Sequence, residues 1–186
     1  MGFGKKDQPG KEKLSALQLT KMLGELFVKR RGSSEAINKV GNQFSIKATE
    51  TETYLCLASL YLVSFLNALQ ADEIQLNQGL AKRIAQTLAD SLVAQQSDLA
   101  QPSEPKGLYQ KLKEMTDGLL KIWDDHVDET PSPQWYVGKE ACYLLNGRDK
   151  MPNPALVMMF SSMISDDTTA IKALIQEAEG KYILVK

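Results

Sequence analysis

The chain has 186 residues, of which 43% are hydrophobic and 24% are charged, a composition typical of a globular protein that folds without disulfides or metals. One histidine and two cysteines are too few for a closed Cys/His zinc site, and a single histidine excludes a di-iron bundle with two Glu-x-x-His motifs. The net charge of −1 conceals an asymmetry, because residues 1–47 carry ten Lys/Arg against four Asp/Glu and the remainder carries twelve against nineteen. This asymmetry predicts that the basic part meets an acidic partner. That partner is nucleic acid, an anionic surface or the rest of the same chain.

The first segment, residues 1–12, is rich in glycine, lysine and proline and has no apolar periodicity, so it predicts a flexible basic tail. It also lacks the apolar core of a secretory signal. Cys56 and Cys142 both lie among apolar residues, which indicates buried, reduced thiols and a cytoplasmic protein. We therefore expect a single helical domain over residues 13–186.

Two helices are predicted before the centre of the chain. The first covers residues 13–31, where apolar residues recur at helical spacing, and Gly32 is a typical stop signal. Its last turn contains three consecutive basic residues, which we call the basic run: Lys29, Arg30 and Arg31. Positive charge at this end of a helix complements the helix dipole. A weaker helix is predicted over residues 33–44, with a serine as its cap.

The longest apolar stretch, Tyr54 to Leu69, contains no charged residue. A helix without a polar face is buried on all sides, so this segment predicts the central helix of the fold. Thr49 and Glu52 match a capping box that begins it. The stretch is shorter than the roughly 20 residues that a bilayer requires, and we expect no membrane span.

After the central helix, Asp72 and Gln75 match a second capping box, which predicts a long amphipathic helix over residues 72–96. A loop with two prolines follows. Ser103 is then the predicted cap of a helix over residues 107–127, which has the most regular apolar spacing in the chain.

The last part of the chain predicts three shorter helices: residues 136–145, residues 154–164 capped by Asn153, and a final helix capped by Asp166. The tail, residues 181–186, is expected to be extended or to cover one end of the bundle. The predicted fold is therefore all-α, with about seven to eight helices around the buried central helix.

An acidic turn surrounds the only histidine, His126. Its members are Asp124, Asp125, Asp128 and Glu129. This arrangement is typical either of a cation or acid–base site, or of a histidine at a helix end beside a solvated turn. Because negative charge at the end of a helix opposes the helix dipole, we expect the turn to pair with the basic run or to meet a cation or a basic partner. The alternative is that salt and water screen these charges.

A second cluster combines methionine and aromatic residues between residues 135 and 163. It contains Trp135, Tyr136, Tyr143, Met151, Met158, Met159, Phe160 and Met163. Methionine is common on adaptable binding surfaces, so Trp135, Met158 and Met159 are candidate residues of a ligand pocket or a partner groove. The alternative is that the cluster is the core of the C-terminal half.

No phosphate-binding glycine loop and no nucleophile motif is present, and neither a metal nor a cofactor is predicted. Catalysis is therefore not favoured. We expect a non-catalytic helical protein that binds another protein or a second copy of itself. The first alternative is a small-molecule sensor or an enzyme that uses the methionine and aromatic cluster. The second is a nucleic-acid regulator that uses the basic N-terminal helix, which is less favoured because no recognition-helix pattern follows Gly32.

Overall fold

The computed structural model describes residues 12–99, 105–149 and 151–185. The predicted all-α class is confirmed, and the predicted basic tail lies, apart from Glu12, outside the described residues. The helices are α1 (Ala16–Phe27), a π-helical turn (Val28–Gly32), α2 (Ser34–Phe44), α3 (Glu50–Leu69), α4 (Gln78–Leu99), α5 (Pro105–Asp125), α6 (Pro133–Asn146) and α7 (Pro154–Lys181), and two short strands, β1 (Glu12–Ser15) and β2 (Tyr182–Val185), pair in parallel.

The centre of the fold is α3, as predicted. Every residue from Thr53 to Phe65 is buried, and the helix packs most extensively on α7 and α5. It begins at the predicted capping box, in which the Thr49 hydroxyl accepts a hydrogen bond from the Glu52 N–H and the Glu52 carboxylate accepts one from the Thr49 N–H. By length and composition alone α3 is apolar enough to cross a membrane, but 78% of that apolar window is buried inside the fold.

The first predicted helix is in fact divided into three elements. Ser15 begins α1 through a capping box with Gln18, so residues 12–15 are free to form β1. At the other end the α-helix becomes a π-helical turn, and α2 then begins at the predicted serine, with the Ser33 hydroxyl accepting from the Ala36 N–H.

The predicted start of α4 at Asp72 is wrong. The helix begins at Gln78, where the Asn77 side chain accepts a hydrogen bond of 2.8 Å from the Leu80 N–H. The Gln75 N–H instead donates to the Glu179 carboxylate. Asparagine is a strong N-cap, so a second cap five residues further along the chain replaces the predicted one. The predicted cap Ser103 lies outside the described residues.

The predicted break before Asp166 is also wrong, so the last two predicted helices are in fact one. Pro154–Lys181 is one continuous helix, which Asn153 caps as predicted. Apolar residues continue at helical spacing through the supposed break, and neither glycine nor proline interrupts them. Aspartate has a weak preference for caps over helix interiors, and the burial of this face of α7 overrides it. As a result, Asp167 lies buried in the middle of α7.

The C-terminal tail is extended, which was one of its two predicted conformations. In β2, Leu184 lies opposite Leu14 of β1, and Leu14 is buried in the core. The strand pair thus joins the first and the last described elements of the chain. The buried side chains of all these elements form one connected cluster.

Candidate functional site

The π-helical turn determines where the basic run lies. Phe27 is fully buried, with its ring edge-on to Tyr54 at 5.6 Å and beside Tyr61 at 5.2 Å. The same ring covers Gly32 so closely that a β-carbon there would lie 2.3 Å from Phe27 Cε1. The turn is therefore held by an aromatic cluster that leaves no space for a side chain at position 32.

Arg30 and Arg31 both bind Asp167 from this turn. Arg30 Nε donates to Asp167 Oδ1 at 2.7 Å, and Arg31 Nε donates to Oδ2 at 3.2 Å. The Asp167 side chain is 4% exposed, whereas those of Arg30 and Arg31 are 31% and 19% exposed. A buried carboxylate is tolerated only when hydrogen-bonded cations compensate for its lost hydration, and here two cations do so, one for each oxygen.

Tyr61 lies beneath this ion-pair network. Burial, and secondly the negative charge of Asp167, raise the pKa of the Tyr61 hydroxyl well above its usual range, and Arg30 opposes this effect. The hydroxyl donates a hydrogen bond of 2.9 Å to the Leu23 carbonyl. It is therefore a neutral donor that connects α3 to α1.

The two arginines line a cavity that we call the α2–α7 cleft, with a volume of about 400 Å³. The cleft is bounded by the π-helical turn, α2, α3 and α7. Its lining residues are Arg30, Arg31, Ala36, Lys39, Val40, Gln43, Leu57, Met159, Ser162, Met163 and Asp166. A cavity of this size falls within the range of small-molecule sites in proteins, roughly 300–1,000 Å³.

The lining of the cleft contains both apolar and charged side chains. Val40, Leu57 and Met163 are buried core residues that expose part of their surface to the cavity. Each guanidinium of Arg30 and Arg31 uses its Nε–H for Asp167, and its Nη–H groups have no partner among the described residues. The cleft can therefore contact an apolar group and donate hydrogen bonds to an acceptor at the same time.

The acidic turn does not supply the carboxylate that binds the basic run, so the predicted pairing of the two is wrong. Asp167 takes that role, and Lys29 is exposed. Asp125 instead pairs with Lys121, one helical turn earlier. Asp124 and Asp128 are exposed to solvent, where water and salt weaken the predicted conflict with the helix dipole. Within the described residues, no group of three His, Cys, Asp or Glu side chains is placed to hold a metal ion.

His126 stacks on Tyr136, with ring centroids 3.8 Å apart and the rings nearly parallel. Its Nδ1 atom lies 2.9 Å from Glu129 Oε2, in ion-pair distance but without the alignment of a hydrogen bond. His126, and secondly the Tyr136 hydroxyl, lower the pKa of Glu129. These contacts link the end of α5, the following connection and the start of α6. They agree with the interpretation of His126 as a residue at a helix end.

The methionine and aromatic cluster is divided between core and surface. Phe160 is fully buried, Met159 is partly buried and lines the α2–α7 cleft, and Met158 is 63% exposed. Trp135 is partly buried and packs against the core. Tyr143 lines a second, smaller cavity of about 250 Å³. Neither of the two predicted alternatives describes the whole cluster.

Lys39, which lines the cleft, and Asp167, which binds the two arginines of the cleft, were not among the predicted candidates. Lys39 is an exposed lysine on α2, and no sequence pattern distinguishes it from other lysines. Asp167 did carry a signal, because it continues the apolar spacing of Phe160, Ile164 and Ile171 along one face of α7. A charged residue at a core position of a helix requires a buried partner of opposite charge.

Comparisons with protein-family models, with curated proteins and with solved structures find no match for this chain.

Proposed function

We propose that this protein is a non-catalytic binding protein, and that the α2–α7 cleft holds a small organic ligand with an apolar body and a polar head group. One observation carries the proposal: a cavity of small-molecule size is lined both by apolar side chains and by polar ones, among them two arginines that a buried carboxylate holds in place. Small-molecule sites in proteins typically combine these two features. The apolar side chains supply affinity, and the polar ones orient the ligand.

The cleft unites two predicted candidates that lie far apart in the sequence. The basic run contributes Arg30 and Arg31, and the methionine cluster contributes Met159. Methionine side chains adapt their shape to an apolar group, whereas the two arginines are held in place by Asp167. This difference supports a ligand with a well-defined head group and a variable apolar body.

Two other predicted functions have less support from the geometry. Arg30 and Arg31 bind a carboxylate inside the fold, so they do not extend an exposed basic helix face for nucleic acid. A protein partner or a second copy remains a prediction. Met151 and Met158 are exposed apolar residues, but the cleft combines apolar surface with charge more specifically than either of them does.

Filling the cleft tests the proposal. Ala36 lines the cavity, and Ala36→Phe places a ring in it. Ala173 is exposed on α7, outside the cleft lining, and Ala173→Phe is the matched control. We expect isothermal titration calorimetry to show one-to-one binding of at least one ten-carbon amphiphile to the wild type and to Ala173→Phe, with at least a tenfold weaker affinity in Ala36→Phe. Equal binding by both variants, or no binding at all, would contradict the proposed function.

A further inference from the structure

We infer that the ligand carries a single negative charge, and that Arg30 and Arg31, positioned by Asp167, bind its anionic head group. This inference rests on the proposed function and specifies its ligand class as a monoanionic amphiphile, for example a long-chain carboxylate. Asp167 does not contact the ligand in this arrangement. It acts as a positioning residue from beneath the two guanidinium groups.

The hydrogen-bond geometry supports an anionic head group. A guanidinium has five N–H donors in a fixed plane, and Asp167 uses only the Nε–H of Arg30 and of Arg31. The donors that remain are the Nη–H groups of two side chains that both line the cleft. These donors bind the oxygens of a carboxylate or a similar anion more strongly than they bind the oxygen of a neutral head group. The reason is that hydrogen bonds from arginine to an anion are charge-assisted.

The position of Asp167 fixes the two arginines before a ligand binds. Each of its oxygens accepts from a different arginine, and the aspartate lies almost fully buried on the rigid helix α7. Side chains that are already ordered lose little conformational entropy on binding. The network therefore favours a head group that fits between two fixed guanidinium groups.

The charge of the cleft indicates a monoanion. Arg30, Arg31 and Lys39 provide three positive charges, and Asp166 and Asp167 provide two negative charges, which leaves a net charge of +1. A monoanion neutralises this charge. A dianion would introduce an excess negative charge beside Asp166, and a neutral molecule would remove water from the arginines without replacing it by an acceptor.

The head-group inference is tested with ten-carbon ligands that share a chain, titrated at pH 8 below their critical micelle concentrations. The probes are decanoate, decyl phosphate, decanol and decyltrimethylammonium. We expect decanoate to bind at least tenfold more tightly than decanol and more tightly than decyl phosphate. If decanol binds as tightly as decanoate and Ala36→Phe abolishes both, the proposed function holds and this inference is overturned. If no probe binds, the proposed function itself fails.

Charge variants at the surface of the cleft test the same inference without disturbing the buried network. Asp166→Asn should improve the affinity for decyl phosphate more than that for decanoate, because it raises the net charge of the cleft. Lys39→Gln should weaken decanoate binding several-fold. Lys29 belongs to the same turn as the arginines but does not line the cleft, so Lys29→Gln is the matched control. Equal losses in the two lysine variants would indicate non-specific attraction and would overturn the inference.

The positioning role of Asp167 has its own readout, the ratio of decanoate affinity to decanol affinity. Asp167→Asn keeps only one strong acceptor for the two arginines, and we expect the ratio to fall while decanol affinity is retained. A purely structural role would reduce both affinities alike and would overturn the assignment. If Asp167→Asn does not fold, Asp167→Glu, which keeps both acceptor oxygens but displaces them by one methylene, provides the same ratio.

A monoanionic amphiphile occurs either free in solution or in a membrane surface, and we infer the free molecule because four elements bound the cleft and its volume of about 400 Å³ suits one small ligand. Sedimentation with vesicles of phosphatidylcholine and phosphatidylglycerol separates the two sources. We expect no co-sedimentation under conditions in which decanoate binds. Retention on the vesicles together with no binding of decanoate would overturn the inference.

Discussion

At the scale of single residues, Gly32 shows how closely the site is tied to the core. Its α-carbon lies against the Phe27 ring, and that ring cannot move away because Tyr54 and Tyr61 enclose it. We expect Gly32→Ala to lower the free energy of unfolding by about 1–3 kcal/mol, as is usual for an overpacked core. Urea denaturation measures the change.

Gly41 provides a matched control for this prediction. It lies in α2, directly after the cleft residue Val40, but a β-carbon there would meet no atom within 4 Å. Since alanine is the better helix former by roughly 1 kcal/mol, Gly41→Ala should leave stability unchanged or increase it. If both alanine variants behaved alike, close contact with Phe27 would not be the reason why position 32 is a glycine.

The two cysteines give a second prediction at this scale. Burial, and secondly the nearby Cys142, raise the pKa of the Cys56 thiol to about 12, and both thiols are buried. Because the thiolate is the reactive form, we expect no reaction with Ellman's reagent at pH 8 in the folded protein and two equivalents after unfolding in guanidinium. Rapid modification of the folded protein would show that α3 and α6 separate more readily than their packing indicates.

At the scale of elements, the start of α3 makes stability depend on pH in a defined direction. The backbone N–H of Thr49, and secondly its hydroxyl, lower the pKa of Glu52. A carboxylate whose pKa is lower in the folded state stabilises that state above its unfolded pKa, near 4.3, and this contribution is lost as the pH falls through the folded pKa.

Glu52→Gln isolates this effect, because the amide can still accept from Thr49 but does not titrate. We expect the free energy of unfolding of the variant to fall less than that of the wild type between pH 6 and pH 3. Urea denaturation at several pH values provides the comparison. Parallel pH profiles for the two proteins would show that the capping box contributes nothing that depends on the charge of Glu52.

The burial of α3 leads to a stronger prediction. Leu60 is 2% exposed, and an unpaired carboxylate at that position would lack both water and a cation. Leu60→Asp should therefore unfold the protein. The measurement is the helical circular dichroism signal at 25 °C, which we expect to be lost. Leu17 on α1 is 68% exposed, and Leu17→Asp is expected to stay folded. A cooperatively melting Leu60→Asp variant would contradict the placement of α3 at the centre.

Local signals predicted the elements well where a single cap was present. The capping box of Thr49 and Glu52 and the asparagine cap at Asn153 were both confirmed. The predictions were wrong at Asp72 and at Asp166, where a cap-forming residue was present but another cap, Asn77, or continuous burial decided the structure. Caps contribute about 1 kcal/mol each, which is less than the burial of one large apolar side chain.

At the scale of the whole molecule, the uneven charge of the chain is partly resolved within the fold. Arg30 and Arg31 reach Asp167, and Lys47 lies 3.9 Å from Asp149. The charge asymmetry predicted an acidic partner, and for these three cations that partner is the rest of the same chain. The basic residues of the first eleven positions lie outside the described part of the chain.

The candidate site was predictable only in its parts. The basic run and the methionine cluster were both recognised, but the contacts that hold the basic run against α7 span 136 and 137 residues of sequence. Periodicity and capping report on neighbours within a few positions, so they contain no information on which helix lies opposite which. The prediction that the basic run meets Asp124 and Asp125 failed for this reason.

The π-helical turn makes the number of residues between α1 and α2 as important as their identity. An ordinary α-helix rotates successive side chains by about 100°, so removing Lys29 would turn Arg30 and Arg31 away from Asp167 while leaving every charged group of the cleft in the chain. A substitution in this turn changes one side chain, whereas the deletion of one residue changes the direction of both arginines together. Among homologous chains, those with a shorter turn should therefore be expected to bind a different ligand, even where both arginines are retained.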